Sequence, residues 1–510
     1  MRLAEKGYSV LVIEKGKRYN KNDFPKSNWH LRKHFWAPLL RCFGIFKMTF
    51  LNEVLVASGV GFGGGSLVYA NTHLVPPDQF FNNPIWSHFK NWKDVLVPFY
   101  DKAKFMLGST PNPSYTRKDE VLKEIAQDLG KEASFCSVDV GVYFGDKDKE
   151  IDPYFKGLGP KRKGCTECSG CIVGCRYNAK NSLDKNYLYF AEKFGAQFEV
   201  ETMVDRINFV NGEYVVHTHK STSIFKSRRK IFKSKGLVVS GGVLGSLELL
   251  FKQKYKYASL SKLSDTLGFN LRTNSEALYG ITSRDEKLNE GISLTTGFYP
   301  DDKTHVEVCT YPNGSNSMKA FTTLAAGPGP APIRILKLLF NLITKPFDVF
   351  RLISSSKWAE RSVVLVVMQT MDNSMKMVYK RLPWRHLGLK NDNRVPAFIQ
   401  SGYDVMNRFA KKVNGVPQMA FTEVLFNMST TAHIMGGVPM GDSPDNGVVD
   451  DKFRVFNYPN MYVLDGSILP CNLGVNPSLT ITALSEYAMT HIKEKEGNEQ
   501  KSLEELMAEI

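Results

Sequence analysis

The sequence predicts an α/β protein of two domains: a Rossmann-like domain read in pieces along the chain, and a second domain inserted between those pieces. Three observations predict this. A short apolar strand, Tyr8–Ile13, closes on an acidic residue, Glu14, as the second strand of a dinucleotide-binding unit does. A buried strand, a Gly-Gly turn and a helix follow one another across Leu237–Ser246. By contrast, residues 76–154 and 271–426 lack the strand–Gly–helix rhythm and read as the inserted, substrate-side domain.

Bulk properties fit that division. At 510 residues, 43% hydrophobic and 23% charged, the chain can bury more than one core and reads as an ordinary globular protein. The net charge of +15 suits anionic surfaces or substrates, and speaks to association, not to fold. No RNA- or DNA-reading motif and no basic repeat is present, so a nucleic-acid partner is not expected. No uncharged apolar run reaches the ~18–20 residues of a spanning helix, so an integral membrane protein is not expected either. Four of the eight cysteines sit in one cluster, which favours a reducing compartment or a metal site over structural disulfides. The expected location is cytoplasmic or peripheral to a membrane.

The first element reads as the end of a helix (Arg2–Lys6) with Gly7 as its C-cap, followed by the strand. Glu14 then stands where a carboxylate accepts hydrogen bonds from ribose hydroxyls. In such a unit a Gly-x-Gly-x-x-Gly loop precedes the acid by about 20 residues. Here only thirteen residues precede Glu14, and they hold no such loop. Two readings compete: a truncated or mis-started chain, and a genuine loss of the dinucleotide site. The intact turns downstream favour truncation. Lacking the helix N-terminus and backbone N–H groups that neutralise a pyrophosphate, the chain as it stands is expected to hold a dinucleotide less tightly.

The second element is the loop Ala57–Asn71, with three consecutive glycines, Gly63, Gly64 and Gly65. Without Cβ atoms the backbone can pass close to a flat ring or a phosphate. Apolar residues flank it, unlike a Ser/Pro/Lys linker. The third is the Leu237–Ser246 unit with its Gly241-Gly242 turn, preceded by polar, strand-like stretches over 199–209 and 213–216. The last is the C-terminal run, where His433 and Asn476 lie in two Gly-flanked turns. Between them the strand Met461–Leu464 ends in Asp465-Gly466. A neutral imidazole takes a proton from an alcohol, and an amide can hold that alcohol's oxygen. Either residue alone is more often structural; the whole string is the signal.

That string, TTAHIMGGVPMG through YVLDGSILPCNLGVNPSLTITALSEYAM, resembles the C-terminal signature of the glucose–methanol–choline (GMC) flavoprotein oxidoreductases, in their cholesterol-oxidase-like branch. The resemblance implies FAD as cofactor, His433 as general base and Asn476 as the hydroxyl's partner. It implies cofactor contacts at Glu14, Gly63, Gly64, Asn71, Gly241, Asp465 and Gly466, with Val204 near the adenine. It divides the chain into an FAD-binding domain (1–75, 155–270 and 427–510) and an α+β substrate domain (76–154 and 271–426) built on a mostly antiparallel sheet. The implied reaction is hydride transfer to flavin N5 from an apolar alcohol, a sterol or steroid-like 3-hydroxy compound. A dehydrogenase of a non-steroid alcohol that uses an acceptor other than oxygen is the alternative enzyme. A flavin-free remnant with only a binding role is the non-enzymatic alternative. One departure stands out: the family's A-F-x-E segment reads Ala320-Phe321-Thr322-Thr323, and a Thr hydroxyl at 323 is no base at neutral pH. On that alignment steroid isomerisation is lost.

Two further stretches carry open readings. Cys165, Cys168, Cys171 and Cys175 spell C-x2-C-x2-C-x3-C, a spacing that suits an iron–sulfur cluster or zinc. Arg176 follows in place of the ferredoxin proline and no second run exists, so structural thiols and a redox disulfide stay open beside metal binding. The isolated Cys42, Cys136, Cys309 and Cys471 read as packing residues. Residues 333–353 are densely apolar, interrupted by Arg334, Lys337, Lys345 and Arg351, with Pro346 as a break. They read either as a lid packed on the substrate domain or as a helix lying in a membrane interface, and both suit an apolar substrate.

Overall fold

The computed structural model describes residues 1–223, 227–381, 387–390 and 395–510. Near the N-terminus the helix Arg2–Glu5 ends at Gly7, whose φ of 80° is the left-handed value that glycine adopts without strain. The apolar strand forms over Leu11–Ile13 and pairs in parallel with Gln197–Glu199. Leu237–Val239 pairs in parallel with Met461–Val463. The expected Rossmann-like layer is thus split: among the described residues these remain two separate two-stranded ladders, with no strand between them to bridge their backbone groups. A three-stranded antiparallel meander (Thr202–Val210, Glu213–Lys220, Lys230–Ser234) stands beside them. Its first turn uses Asn211 and Gly212 at φ 52° and 79°, the positive values that a tight hairpin demands.

The helices Val243–Phe251 and Ser478–Thr490 close the first core over Val239, Leu247, Leu464 and Leu484. The helix Trp92–Met106 joins that core through Trp92, Leu96 and Tyr100, and Tyr100 shares a hydrogen bond of 2.9 Å with Thr480. The segment 76–154, expected as a unit of the substrate domain, is therefore divided. Its first part packs on the first core, because its aromatic side chains find their apolar partners there. The later helix Arg117–Asp128 joins the second core through Val121, Leu122 and Ile125.

That second core lies against a mixed α/β protein's largest element, a seven-stranded sheet in which every pairing is antiparallel. Its strands run, in spatial order, Thr322–Leu324, Gly415–Ala420, Ala277–Ser283, Ser362–Gln369, Thr304–Cys309, Leu294–Asp301 and Cys136–Ser137. Period-2 alternation sorts their side chains. Ala277, Tyr279, Val306, Val308, Leu365 and Val367 face the helices Arg117–Asp128 and Gln400–Lys412. The opposite face carries the residues between them. Leu278, Val366 and Glu307 stand in one cross-strand row, so Glu276, His305 and Glu307 share this face. Residues 333–353 form two helices, Ala331–Thr344 and Pro346–Ser354, broken where Pro346 was expected to break them. Among the described residues no helix is long and apolar enough to cross a membrane.

Candidate active site

Four turns carry the candidate residues, held by hydrogen bonds both within each turn and between distant segments. Glu14 lies at the end of its strand, where its N–H donates to the Glu199 carbonyl at 2.9 Å. Its carboxylate accepts from the Gly16 N–H at 2.6 Å. Burial raises the Glu14 pKa, against the opposing pull of that N–H and of Lys15. Gly16 is needed here: a Cβ on it would lie 2.4 Å from the Gly61 backbone. This close approach brings Glu14 to the triple-glycine loop, where Gly63 and Gly64 have φ of 120° and 55°. A Cβ on Gly64 would meet nothing within 4 Å, so the loop fronts open space. The loop leads to Asn71, fully buried with neither amide atom partnered. Lys180 anchors that passage, donating to the carbonyls of Leu67, Tyr69 and Cys171 at 3.1, 2.8 and 2.8 Å.

The Gly241 and Asp465 turns are one unit. Gly241 N–H donates to Ser246 Oγ at 2.9 Å, and that hydroxyl donates to Asp465. The second carboxylate oxygen of Asp465 caps the Gly466–Ile468 turn through the Ser467 N–H at 2.9 Å. The His433 segment joins them: Gly436 N–H donates to the Gly466 carbonyl at 2.9 Å. Val204 sits at a bulge in Thr202–Val210, two residues past Thr202, whose N–H donates to the Glu14 carbonyl at 2.9 Å.

His433 and Asn476 are positioned by one short segment, Asn274–Glu276. Asn274 accepts from Gly474 N–H at 2.9 Å and donates to the Val475 carbonyl at 3.0 Å, fixing the turn that precedes Asn476. Glu276, with no exposed side-chain surface, accepts from Thr431 Oγ1 at 2.7 Å and from Ala432 N–H at 2.9 Å. The same oxygen lies 3.2 Å from His433 Nδ1, an ion-pair contact that falls off the hydrogen-bond line. Burial alone would lower the His433 pKa. Attraction to Glu276 and to the more distant Glu307 outweighs it, and the net shift is upward. Asn476 donates to Glu307 at 3.1 Å, and burial pushes the Glu307 carboxyl up to about 7. Asn476 Oδ1 has no partner in the protein.

Three expectations change. The face alternation removes Thr323 from the site: it pairs with Met419, which pairs with Tyr279, so it shares the helix-covered face and lies four strands from Glu307. A buried carboxyl group does stand on the site face, at Glu307. The cysteines do not form a ligand set: among the described residues no group of three or more His, Cys, Asp or Glu side chains is placed to hold a metal ion. Cys165 and Cys171 are buried with Val138, Val140 and Ile292, while Cys168 is exposed. Their loop is tied to the sheet instead, with Ser169 Oγ donating to the Asn289 carbonyl at 2.7 Å and Cys171 N–H to Ser293 Oγ at 3.1 Å. Of the isolated cysteines, Cys309 and Cys471 are buried as expected of packing residues, Cys42 is half-buried and Cys136 is exposed.

Comparison with known proteins decides the family. Residues 340–485 match the family described as GMC oxidoreductase. The chain is 40% identical to a cholesterol oxidase of Acinetobacter baumannii, across 100% of this chain and 94% of the relative. The chain belongs to the GMC oxidoreductase family. It is likewise 40% identical to a cholesterol oxidase of Mycobacterium tuberculosis (96% of this chain, 87% of the relative). A long-chain-alcohol oxidase of Arabidopsis thaliana is 32% identical over 96% of this chain and 64% of its own length. The crystal structure of pyridoxine 4-oxidase from Mesorbium loti shares the fold, with a TM-score of 0.60 at 12% identity over 96% of both chains. As a family member the protein is an FAD-dependent alcohol oxidoreductase.

The residues present fit FAD. A half-buried acid at a strand end, open space before Gly64 and Gly242, and the unpartnered amide of Asn71 are what a ribose and a flat ring system require. Sequence reasoning missed Glu276 and Glu307. A signal existed for the second: Thr304–Cys309 alternates apolar residues with His305 and Glu307, and an acid within a wholly buried strand calls for a function. Glu276 had none, since it precedes its strand in a polar Asn274-Ser275 turn.

Proposed function

We propose that this chain oxidises the CH–OH group of an apolar alcohol, a sterol or steroid-like 3-hydroxy compound, with FAD held by Glu14, Gly63, Gly64, Asn71, Val204, Gly241, Asp465 and Gly466. The observation that carries the reading is the pair of partly exposed His433 and buried Glu276 set beside the Asn476–Glu307 pair. FAD, when bound, supplies the hydride acceptor. His433 takes the hydroxyl proton on Nε2, because Nδ1 is turned to Glu276. The Glu276 charge stabilises the imidazolium that results, which makes the proton's departure easier. Asn476 orients the alcohol oxygen, with its amide fixed by Glu307. Glu307, a carboxyl whose pKa of about 7 lets it both give and take a proton near neutrality, is the group for moving a proton next to the new carbonyl.

The two cholesterol oxidases support a sterol, and the low charge of an apolar substrate suits the contact with a lipid surface through residues 333–353. The plant relative supports a second reading, a long-chain aliphatic alcohol. Purified protein loaded with FAD, offered cholesterol and a C16 alcohol with peroxide detection, decides between them. Oxidation of neither, by a flavin-loaded chain, overturns the reading. Substrate loss without peroxide identifies an acceptor other than oxygen.

A further inference from the structure

The hairpin of Ala331–Thr344 and Pro346–Ser354 is built inside out. Arg334, Leu338 and Asn341, spaced along one helical stripe, turn inward. Arg334 is buried and donates to the Glu423 carbonyl at 2.9 Å and to the Asn427 side chain; Asn341 donates to the Ala325 carbonyl at 2.9 Å. Polar groups thus anchor the helix to the protein. The outward stripe is apolar: Leu336, Leu339, Phe340 and Ile343, the last 79% exposed. The second helix continues it with Phe347 (80% exposed), Phe350 and Ile353. A surface helix ordinarily turns such a stripe to the core, and exposed apolar patches of this kind mark interaction sites.

Charge says what covers it. Lys337, Lys345 and Arg351 are exposed among the apolar residues. The single acid of residues 331–354, Asp348, is paired with Arg284 at 2.8 Å. A second copy of the chain would set these cations against one another. We propose that the hairpin docks on an anionic lipid bilayer, with its phenylalanines and leucines in the acyl boundary and its three cations among the headgroups. The contact extends the apolar-alcohol reading to where such a substrate resides. Through Arg334 the hairpin is tied to Glu423–Asn427, which runs directly into Ser429–Thr431 and His433.

The test uses the full chain and needs neither flavin nor turnover, so its failure is separate from failure of the activity. Flotation is measured with vesicles of 1-palmitoyl-2-oleoyl phosphatidylglycerol mixed with phosphatidylcholine, and with phosphatidylcholine alone. The chain floats with the anionic vesicles. The variant Phe340→Ser/Ile343→Ser/Phe347→Ser, altered only at exposed positions, binds them roughly a hundredfold more weakly with an unchanged thermal midpoint. Lys345→Glu/Arg351→Glu binds roughly tenfold more weakly at low salt. The proposal is overturned if the parent stays in solution, if it binds neutral vesicles equally, or if the triple-serine variant floats as the parent does. A concentration-dependent dimer abolished by the same three substitutions also overturns it, in favour of a second copy.

Discussion

Two histidines stand beside carboxyl groups on the substrate side, His433 partly exposed and His305 buried, and they behave in opposite ways. His433 lies 3.2 Å from Glu276 and its pKa is raised. His305 lies 3.8 Å from Glu307, stacked on Tyr299 at 4.5 Å between ring centres, and burial lowers its pKa to about 3. Burial disfavours a charged ring in both. Only at His433 is the neighbour a carboxylate that two further donors, Thr431 and Ala432, hold in place. Glu307, with a pKa raised to about 7 by burial, is half neutral near that pH and attracts a cation less. The histidine placed to act as a base is the one whose neighbouring acid is fixed by Thr431 and Ala432.

Substitutions break or sharpen that contrast, and His433→Ala should have the largest effect. Loss of the base lowers kcat for alcohol oxidation about 10²–10⁴-fold while flavin absorbance is retained; unchanged turnover defeats the role. Next is Glu276→Gln, which keeps the shape and removes the charge. We expect kcat to fall roughly 10–100-fold. The proton-accepting form of His433 is the neutral one, so the rate rises with pH through its pKa. Removing the charge that favours imidazolium lowers that pKa, and the rising limb moves to lower pH. A limb that does not move would make Glu276 merely structural.

Glu307→Gln comes third. Steroid double-bond migration should be lost, while alcohol oxidation falls only about tenfold. It also has a stability signature. The folded-state pKa of about 7 lies above the unfolded value of about 4.3, so the parent's stability is complete below the unfolded pKa and declines as pH rises through 7. The thermal midpoint of the parent should therefore drop more between pH 5 and pH 8 than that of Glu307→Gln. The smallest effect belongs to His305→Gln, whose parent ring is already neutral throughout that range. Its pH–rate profile should superimpose on the parent's.

Legibility followed the range of the interaction. The Gly63–Gly64 loop, the Gly241 turn and Asp465–Gly466 were readable because glycine and a capping acid are local demands of the backbone. The first two strands of the meander were readable as strand-like stretches over 199–209 and 213–216, and its third strand, Lys230–Ser234, was not. The hairpin at 331–354 was readable as amphipathic helix, but not which way its stripe points, since helical period is blind to direction. The cysteine spacing suggested ligands, whereas the loop's bonds to Asn289 and Ser293 hold the thiols in a different arrangement.

By itself the sequence determined the turns and the helix and strand periods, all of which depend on neighbours within a few residues, and it placed His433 and Asn476 in two such turns. Tertiary structure alone decided that Glu276 lies beside His433, that Glu307 and not Thr323 stands beside Asn476, and that the apolar stripe faces outward. Each depends on which strands are adjacent and on which face alternation leaves toward the site. A one-residue change of register would reverse those faces while leaving every local motif intact.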